Sequence, residues 1–200
     1  MNPPKASALI VRKHKGSLET AIEKAIIENP DLLGFSGANA IRNFRLAHDS
    51  GAVDVVLLPK GGSIRLVLIE AKVANAADAN SKVIGQLLMY YSGALTMGSD
   101  GVELLQKFAR NYQDEAHNIP RTSPQKVLLK VLGKHYTNPN AMAKLKEGTP
   151  LTPKEIALFI AVDDEPHHTL RPVLRLLKEH DIHIGLILVR NGMPEFLTIF

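Results

Sequence analysis

Hydrophobic residues in this chain recur with two periods, and the switches between those periods divide it into elements. Leu18, Ile22, Ala25 and Ile26 return at helical spacing behind Ser17, an N-cap candidate, until Asn29-Pro30 stops the pattern. This predicts a first helix, with Glu19 and Glu23 one turn apart on one flank of the apolar stripe. The runs from Ile41 to Leu46, Val53 to Leu58 and Ile64 to Val73 are rich in Val, Ile and Leu. His48-Asp49-Ser50-Gly51 and Lys60-Gly61-Gly62-Ser63 separate them. They predict a three-stranded antiparallel meander. Helical spacing resumes from Asp78 to Leu95 and turns Ile84, Leu87, Leu88, Tyr91 and Leu95 toward a core.

Residues 98–155 are more polar. Amphipathic segments from Val102 to Tyr112 and from Gln125 to His135 are broken by Pro120, Pro124, Pro139, Pro150 and Pro153, and residues 101–150 carry eight Lys or Arg against four acids. This predicts a basic helical insert. After it, a strand from Ile156 to Val162, a helix from Pro166 to Glu179 and a strand from Ile182 to Val189 form a β-α-β unit, and Glu195 to Phe200 forms a terminal strand. The expected fold is α/β: one domain over residues 1–200, with a mixed sheet flanked by helices and the insert at 98–155.

Composition narrows the chemistry. Two hundred residues with 45% hydrophobic content suit one domain, which at this length buries roughly 70% of its unfolded surface. The absence of cysteine excludes disulfides, Cys-rich zinc modules, iron-sulfur sites and a thiol nucleophile. No apolar run approaches the roughly 20 residues of a membrane span, and MNPPKASALIVRKHKG lacks the order of a signal peptide, so a cytoplasmic protein without a membrane partner is expected. Twenty-four Lys and Arg against 20 Asp and Glu leave a net charge of +4, which leans toward a polyanion. No Walker loop, G-x-G-x-x-G or H-E-x-x-H occurs. His167-His168 behind Asp163-Asp164-Glu165 reads as a polar strand-to-helix loop, and His180 with His183 spans a helix end and a strand start.

The third strand ends in Glu70-Ala71-Lys72, and side chains alternate along a strand, so Glu70 and Lys72 share a face while Ala71 points away. A three-residue loop Gly61-Gly62-Ser63 sets Asp54 of strand two opposite Glu70, bringing two carboxylates within about 5 Å beside an ammonium. A two-residue loop would set Asp54 against Ile69 and separate them unless a bulge restored the cluster. Paired carboxylates repel unless a cation lies between them. Mg²⁺ takes oxygen ligands, usually one or two carboxylates plus waters and a substrate phosphate, which suits Asp54, Glu70 and the Ala71 carbonyl. Lys72 then serves the attacking water or the charge developing on phosphorus.

Val53-Asp54 followed by Glu70-x-Lys72 resembles the PD-(D/E)XK nuclease superfamily, the restriction endonuclease-like fold, with Val53 in place of its proline. The acids of the first helix, and Gln86 and Tyr90 at i and i+4 on the helix after strand three, fit the same pattern. So does the late β-α-β unit. The combination is most similar to branch- and mismatch-cleaving endonucleases of that superfamily; it covers residues 17–95 well, 156–190 in element order only, and not the insert. The resemblance implies a restriction endonuclease-like sheet and a DNA endonuclease or exonuclease of repair, recombination or defence. It implies Mg²⁺ or Mn²⁺ on Asp54 and Glu70, Glu19 or Glu23 reaching the ion through water, Lys72 serving the water, and Gln86 with Tyr90 positioning a strand or Lys72. Lys126, Lys130 and Lys134 repeat every four residues, and with Lys107 and Arg110 they form a candidate DNA contact surface. Double-strand cutters often need two sites, which makes a homodimer compatible, although the sequence carries no interface signal. The competing reading of a different class is a catalytically silent nucleic-acid-binding module in a larger assembly.

Overall fold

A computed structural model describes residues 18–44, 46, 51–74, 79–116, 144–166 and 168–199. Helix α1 covers residues 18–28, and a 3-10 turn, Pro30–Leu33, follows it. The strands are β1 (Asn39–Phe44), β2 (Val53–Leu58), β3 (Leu66–Lys72), β4 (Ile156–Val162), β5 (Ile184–Arg190) and β6 (Met193–Ile199). Between β3 and β4 lie α2 (Ala79–Leu95) and α3 (Ser99–Ala116), and α4 (Leu170–Glu179) joins β4 to β5. The expected Ser17 cap and the segment from Gln125 to His135 lie outside the described residues.

All six strands form one sheet whose spatial order is the chain order. Strands β1, β2 and β3 are antiparallel neighbours, β3, β4 and β5 run parallel, and β6 returns antiparallel on β5. The meander and the β-α-β unit are therefore both present, in a mixed sheet flanked by helices. The two faces are covered unequally. Leu66 and Leu68 of β3 join α2, α3 and α4 in one core cluster, while Val67, Ile69 and Ala71 join α1 and the 3-10 turn in the other. Strands β3 and β4, covered on both faces, are apolar at nearly every position, as buried parallel strands are.

Several boundaries move for identifiable reasons. Strand β1 starts at Asn39 because it pairs with the full length of β2, Asn39 lying opposite Leu58. Strand β3 starts at Leu66 because the Arg65 N–H bonds the Glu155 carbonyl instead of joining the ladder. Helix α4 starts at Leu170, not Pro166. It ends with Asp181 in the left-handed region and with the N–H groups of Asp181 and Ile182 on the carbonyls of Lys178 and Leu177, so Ile182 belongs to the helix exit and not to β5. Strand β6 starts at Met193, directly after Asn191-Gly192, whose paired positive φ values make a tight two-residue hairpin. On α2 the buried line runs through Val83, Leu87, Tyr90 and Ala94, with Leu88 only half-buried. Helix α3, within the expected insert, places Val102, Leu105, Phe108 and Ala109 in the core cluster shared with α2.

One contact fixes the chain just beyond β3. Lys72 lies opposite Val162 in the parallel ladder, and the residue directly after β4, Asp163, accepts the Ala74 N–H at 2.8 Å. Replacing Asp163 by Ala takes the acceptor from a part-buried N–H, a loss of about 1–3 kcal/mol. Thermal unfolding of Asp163→Ala should show a clear fall in Tm and Asp163→Asn, which keeps an acceptor oxygen, a smaller one; equal losses would remove the role of this bond.

Candidate active site

The β2–β3 ladder pairs Val55 with Ile69, Val56 with Leu68 and Leu57 with Val67, the register of the three-residue loop, in which Asp54 falls opposite Glu70. Pairing stops before that position. One oxygen of the Asp54 carboxylate instead accepts the Ala71 N–H at 2.9 Å, standing where a backbone carbonyl would continue the ladder. On the other side of Asp54, Arg42–Val55 and Phe44–Val53 are paired while Asn43 between them has φ of +50°. Asp54 thus leaves the ladder on both sides.

Glu70 is 1% exposed. The Lys72 ammonium lies 2.7 Å from its Oε1, and its Oε2 is buried without a hydrogen-bond partner. Burial, and then the charge of Asp54, push the Glu70 carboxyl up to about 7 against the pull of Lys72. Burial works against the Lys72 ammonium in turn, but its bond to Glu70 and the charges of Glu70, Asp54 and Glu19 outweigh burial and hold it above its ordinary value. Lys72 is therefore a cation at neutral pH.

Tyr90 of α2 is buried and gives its one hydroxyl hydrogen to the Ala52 carbonyl at 2.8 Å, which fixes the chain entering β2. Burial and the carboxylates of Glu70 and Asp54 raise its phenol, and a hydrogen bond with Gln86 opposes them. Gln86 and Tyr90 thus both belong to the surroundings of the cluster.

On α1 the two acids separate. Glu23 is buried and its Oε2 accepts from both Nε, at 2.9 Å, and Nη2 of Arg42 on β1. Burial raises its carboxyl, with Arg42 opposing and Asp54 and Glu19 adding to the rise. Glu19 is half-buried and within electrostatic reach of Lys72 and Glu23. Sequence reasoning missed Arg42, an isolated cation in an apolar run. Lys107 and Arg110 are exposed on α3, whereas Lys126, Lys130 and Lys134 lie outside the described residues.

The cluster fits a hard divalent cation in one respect above all: it holds a buried carboxylate oxygen with no partner next to a second carboxylate, a place short of positive charge. The fit rests on Asp54 and Glu70. Among the described residues no group of three or more Asp, Glu, His or Cys is arranged to hold an ion, so Glu19 and Glu23 do not join the pair in a single cage, and the His180 and His183 region forms none. Among the described residues, too, no helix is long and apolar enough to cross a membrane. Comparison with models of protein families, with curated proteins and with solved structures finds no match.

A carboxyl raised in the folded state makes stability depend on pH. Below its ordinary value of 4.5 Glu70 is protonated whether folded or not. Between 4.5 and about 7 only the folded chain holds the proton, so stability falls as pH rises through that window and then levels. In chelator, urea titrations should show the wild type losing on the order of 2–3 kcal/mol more than Glu70→Gln between pH 5 and 8. Equal losses would place the Glu70 carboxyl outside the low-dielectric interior.

Proposed function

We propose that this chain is a metal-dependent deoxyribonuclease that hydrolyses phosphodiester bonds in DNA, with a restriction endonuclease-like arrangement of its sheet. The observation that carries the reading is the convergence of Asp54, Glu70 and Lys72 at the end of one β-hairpin, with Lys72 Nζ 2.7 Å from Glu70 and the other Glu70 oxygen buried without a partner. The order of elements, acid-bearing helix, antiparallel meander, helix with Gln86 and Tyr90, and a later β-α-β unit, supports it further.

Asp54 and Glu70 are the residues that would hold Mg²⁺ or Mn²⁺, with the Ala71 carbonyl beside them. When bound, such an ion supplies Lewis acidity toward a phosphoryl oxygen and makes water more acidic. Asp54 is oriented for its task by the Ala71 N–H. Lys72, protonated at neutral pH, acts as a hydrogen-bond donor and positive charge toward phosphate oxygens, strengthening as charge develops there, and not as a base. Tyr90 steadies the entry to β2 through Ala52, and Gln86 works on Tyr90. The exposed cations Lys107 and Arg110, with Lys126, Lys130 and Lys134, would supply affinity for the DNA backbone, which is independent of sequence.

A panel of labelled duplex, flap, junction and single-stranded DNA, incubated with Mg²⁺, Mn²⁺ or EDTA, tests the proposal. Cleavage is expected with either ion and none in EDTA. Glu70→Ala and Asp54→Ala should abolish it while keeping the native circular dichroism. Lys72→Ala should keep DNA affinity, read by anisotropy in Ca²⁺, and lose about 10²–10³-fold in turnover. A wild type that binds DNA but cuts none of the panel would instead be a nucleic-acid-binding module.

Changing Lys107, Arg110, Lys126, Lys130 and Lys134 together to Ala should weaken binding across sequences and flatten the log-log salt dependence by up to about five units. An unchanged slope assigns all five to solvent.

A further inference from the structure

At the end of the sheet that carries Lys72, a second group of charges gathers two strands away. Lys72, Val162 and Leu188 form one row across β3, β4 and β5, and Arg190 lies two residues beyond Leu188 on the same face, the one covered by α2 and α4. At about 4.8 Å per strand and 3.3 Å per residue, its Cα stands roughly 12 Å from that of Lys72. Glu165, in the turn between β4 and α4, draws Arg190 together with Arg171 of α4. Arg171 Nη2 donates to Glu165 Oε2 at 3.0 Å, and Arg190 Nη2 lies 3.8 Å from Oε1 of the same carboxylate. Arg190 Nη1 lies 3.9 Å from Glu195 Oε1. These four side chains are 40–59% exposed.

We propose that Arg171 and Arg190 form a subsite for a backbone phosphate of the DNA strand beside Lys72, and that Glu165 occupies this subsite until the strand displaces it. This rests on the nuclease reading given above and adds a substrate contact and the internal group that competes for it. Two guanidiniums that meet the two oxygens of one carboxylate are placed for the two non-bridging oxygens of a phosphodiester, which arginine binds in the same forked geometry. Glu165 is a weak holder. Exposed ion pairs contribute little, and only its bond to Arg171 is of hydrogen-bond length. Its carboxylate can turn to water when a phosphate arrives, which a buried partner could not do. The neighbouring acid, Asp164, spends an oxygen on the Glu165 N–H at 2.8 Å instead. A strand lying over Lys72 and running toward β5 reaches the arginine pair roughly three nucleotides on, at the 3.4 Å rise per nucleotide of a duplex. Because α3, which carries Lys107 and Arg110, packs on β1 and β2, cations then stand to both sides of Lys72 across the sheet.

The test is anisotropy in Ca²⁺ on the full chain, with the member of the DNA panel that the wild type binds most tightly, over a range of salt concentrations. Arg171→Ala/Arg190→Ala should bind about tenfold more weakly and flatten the log-log salt dependence by about one unit, the share of one phosphate. Glu165→Gln, which releases both arginines, should bind about fivefold tighter, whereas Asp164→Asn, which removes the same charge and keeps the acceptor for the Glu165 N–H, should stay within about twofold of wild type. With both arginines gone, Glu165→Gln should gain no more than Asp164→Asn does. Equal effects of Glu165→Gln and Asp164→Asn, or a double-alanine variant with native circular dichroism and unchanged affinity and slope, would overturn the inference and leave the nuclease reading standing, because cleavage of the panel is read separately. A wild type that neither binds nor cuts any member of the panel would overturn both. Should the double-alanine variant fail to fold, the comparison of Glu165→Gln with Asp164→Asn still decides.

Discussion

A carboxylate withdrawn from water must have its charge answered, and the structure around Glu70 is organised by that requirement. Glu70 sits on the central β3 strand, flanked by β2 and β4, with no access to solvent through either neighbour. Lys72, two residues on and on the same face, answers part of the charge. Asp54 adds to the deficit, and its own carboxylate is steadied by a backbone N–H instead of a cation. The result is an acid with one satisfied and one unsatisfied oxygen, whose affinity for a proton is raised accordingly. Interior carboxylates are costly when left so, and carboxyls perturbed in this way gather at functional sites.

The rest of the fold serves to hold that strand end still. Tyr90 fixes the chain before β2, Asp163 fixes the chain after β3, and the Glu23–Arg42 pair ties α1 to β1. Each of these contacts spans two elements from different parts of the chain. Each is also polar inside an apolar setting, where an alternative arrangement would strand a donor or an acceptor.

Features governed by neighbours in sequence were legible before the structure. The glycine-rich β2–β3 loop restricts the hairpin to few closures, of which the three-residue one faces Asp54 toward Glu70, and the pairing of Val55 with Ile69 is that register. The β-α-β unit followed from its change of hydrophobic period. What was not legible depends on partners far along the chain. Arg42 looked like one polar residue in a strand, and Asp163 like a loop acid in solvent, until the folded chain brought Glu23 and Ala74 to them across 19 and 89 positions. Tyr90 read as a polar site residue, yet its ring fills the core and rotates the buried line of α2. Asn191-Gly192 was a readable hairpin signal, and β6 begins directly after it, two residues ahead of the expected Glu195.

Because the strands lie in the sheet in the order they occur in the chain, the time at which each part can assemble differs sharply. Strands β1 to β3 join through short connections, as do β5 and β6, whereas β3 and β4 are separated by about eighty residues. Closing an unstructured loop of that length costs about 2 kcal/mol more than closing the β2–β3 turn. Helices α2 and α3, which lie within that long connection, pack on β1, β2 and β3, and α2 reaches β4 as well. The seam between β3 and β4 is thus the one in the sheet whose two strands are farthest apart in the chain, and Glu70, opposite Ile160 in it, owes one side of its burial to that seam. A local opening there would let water reach the carboxylate that the closed sheet denies it.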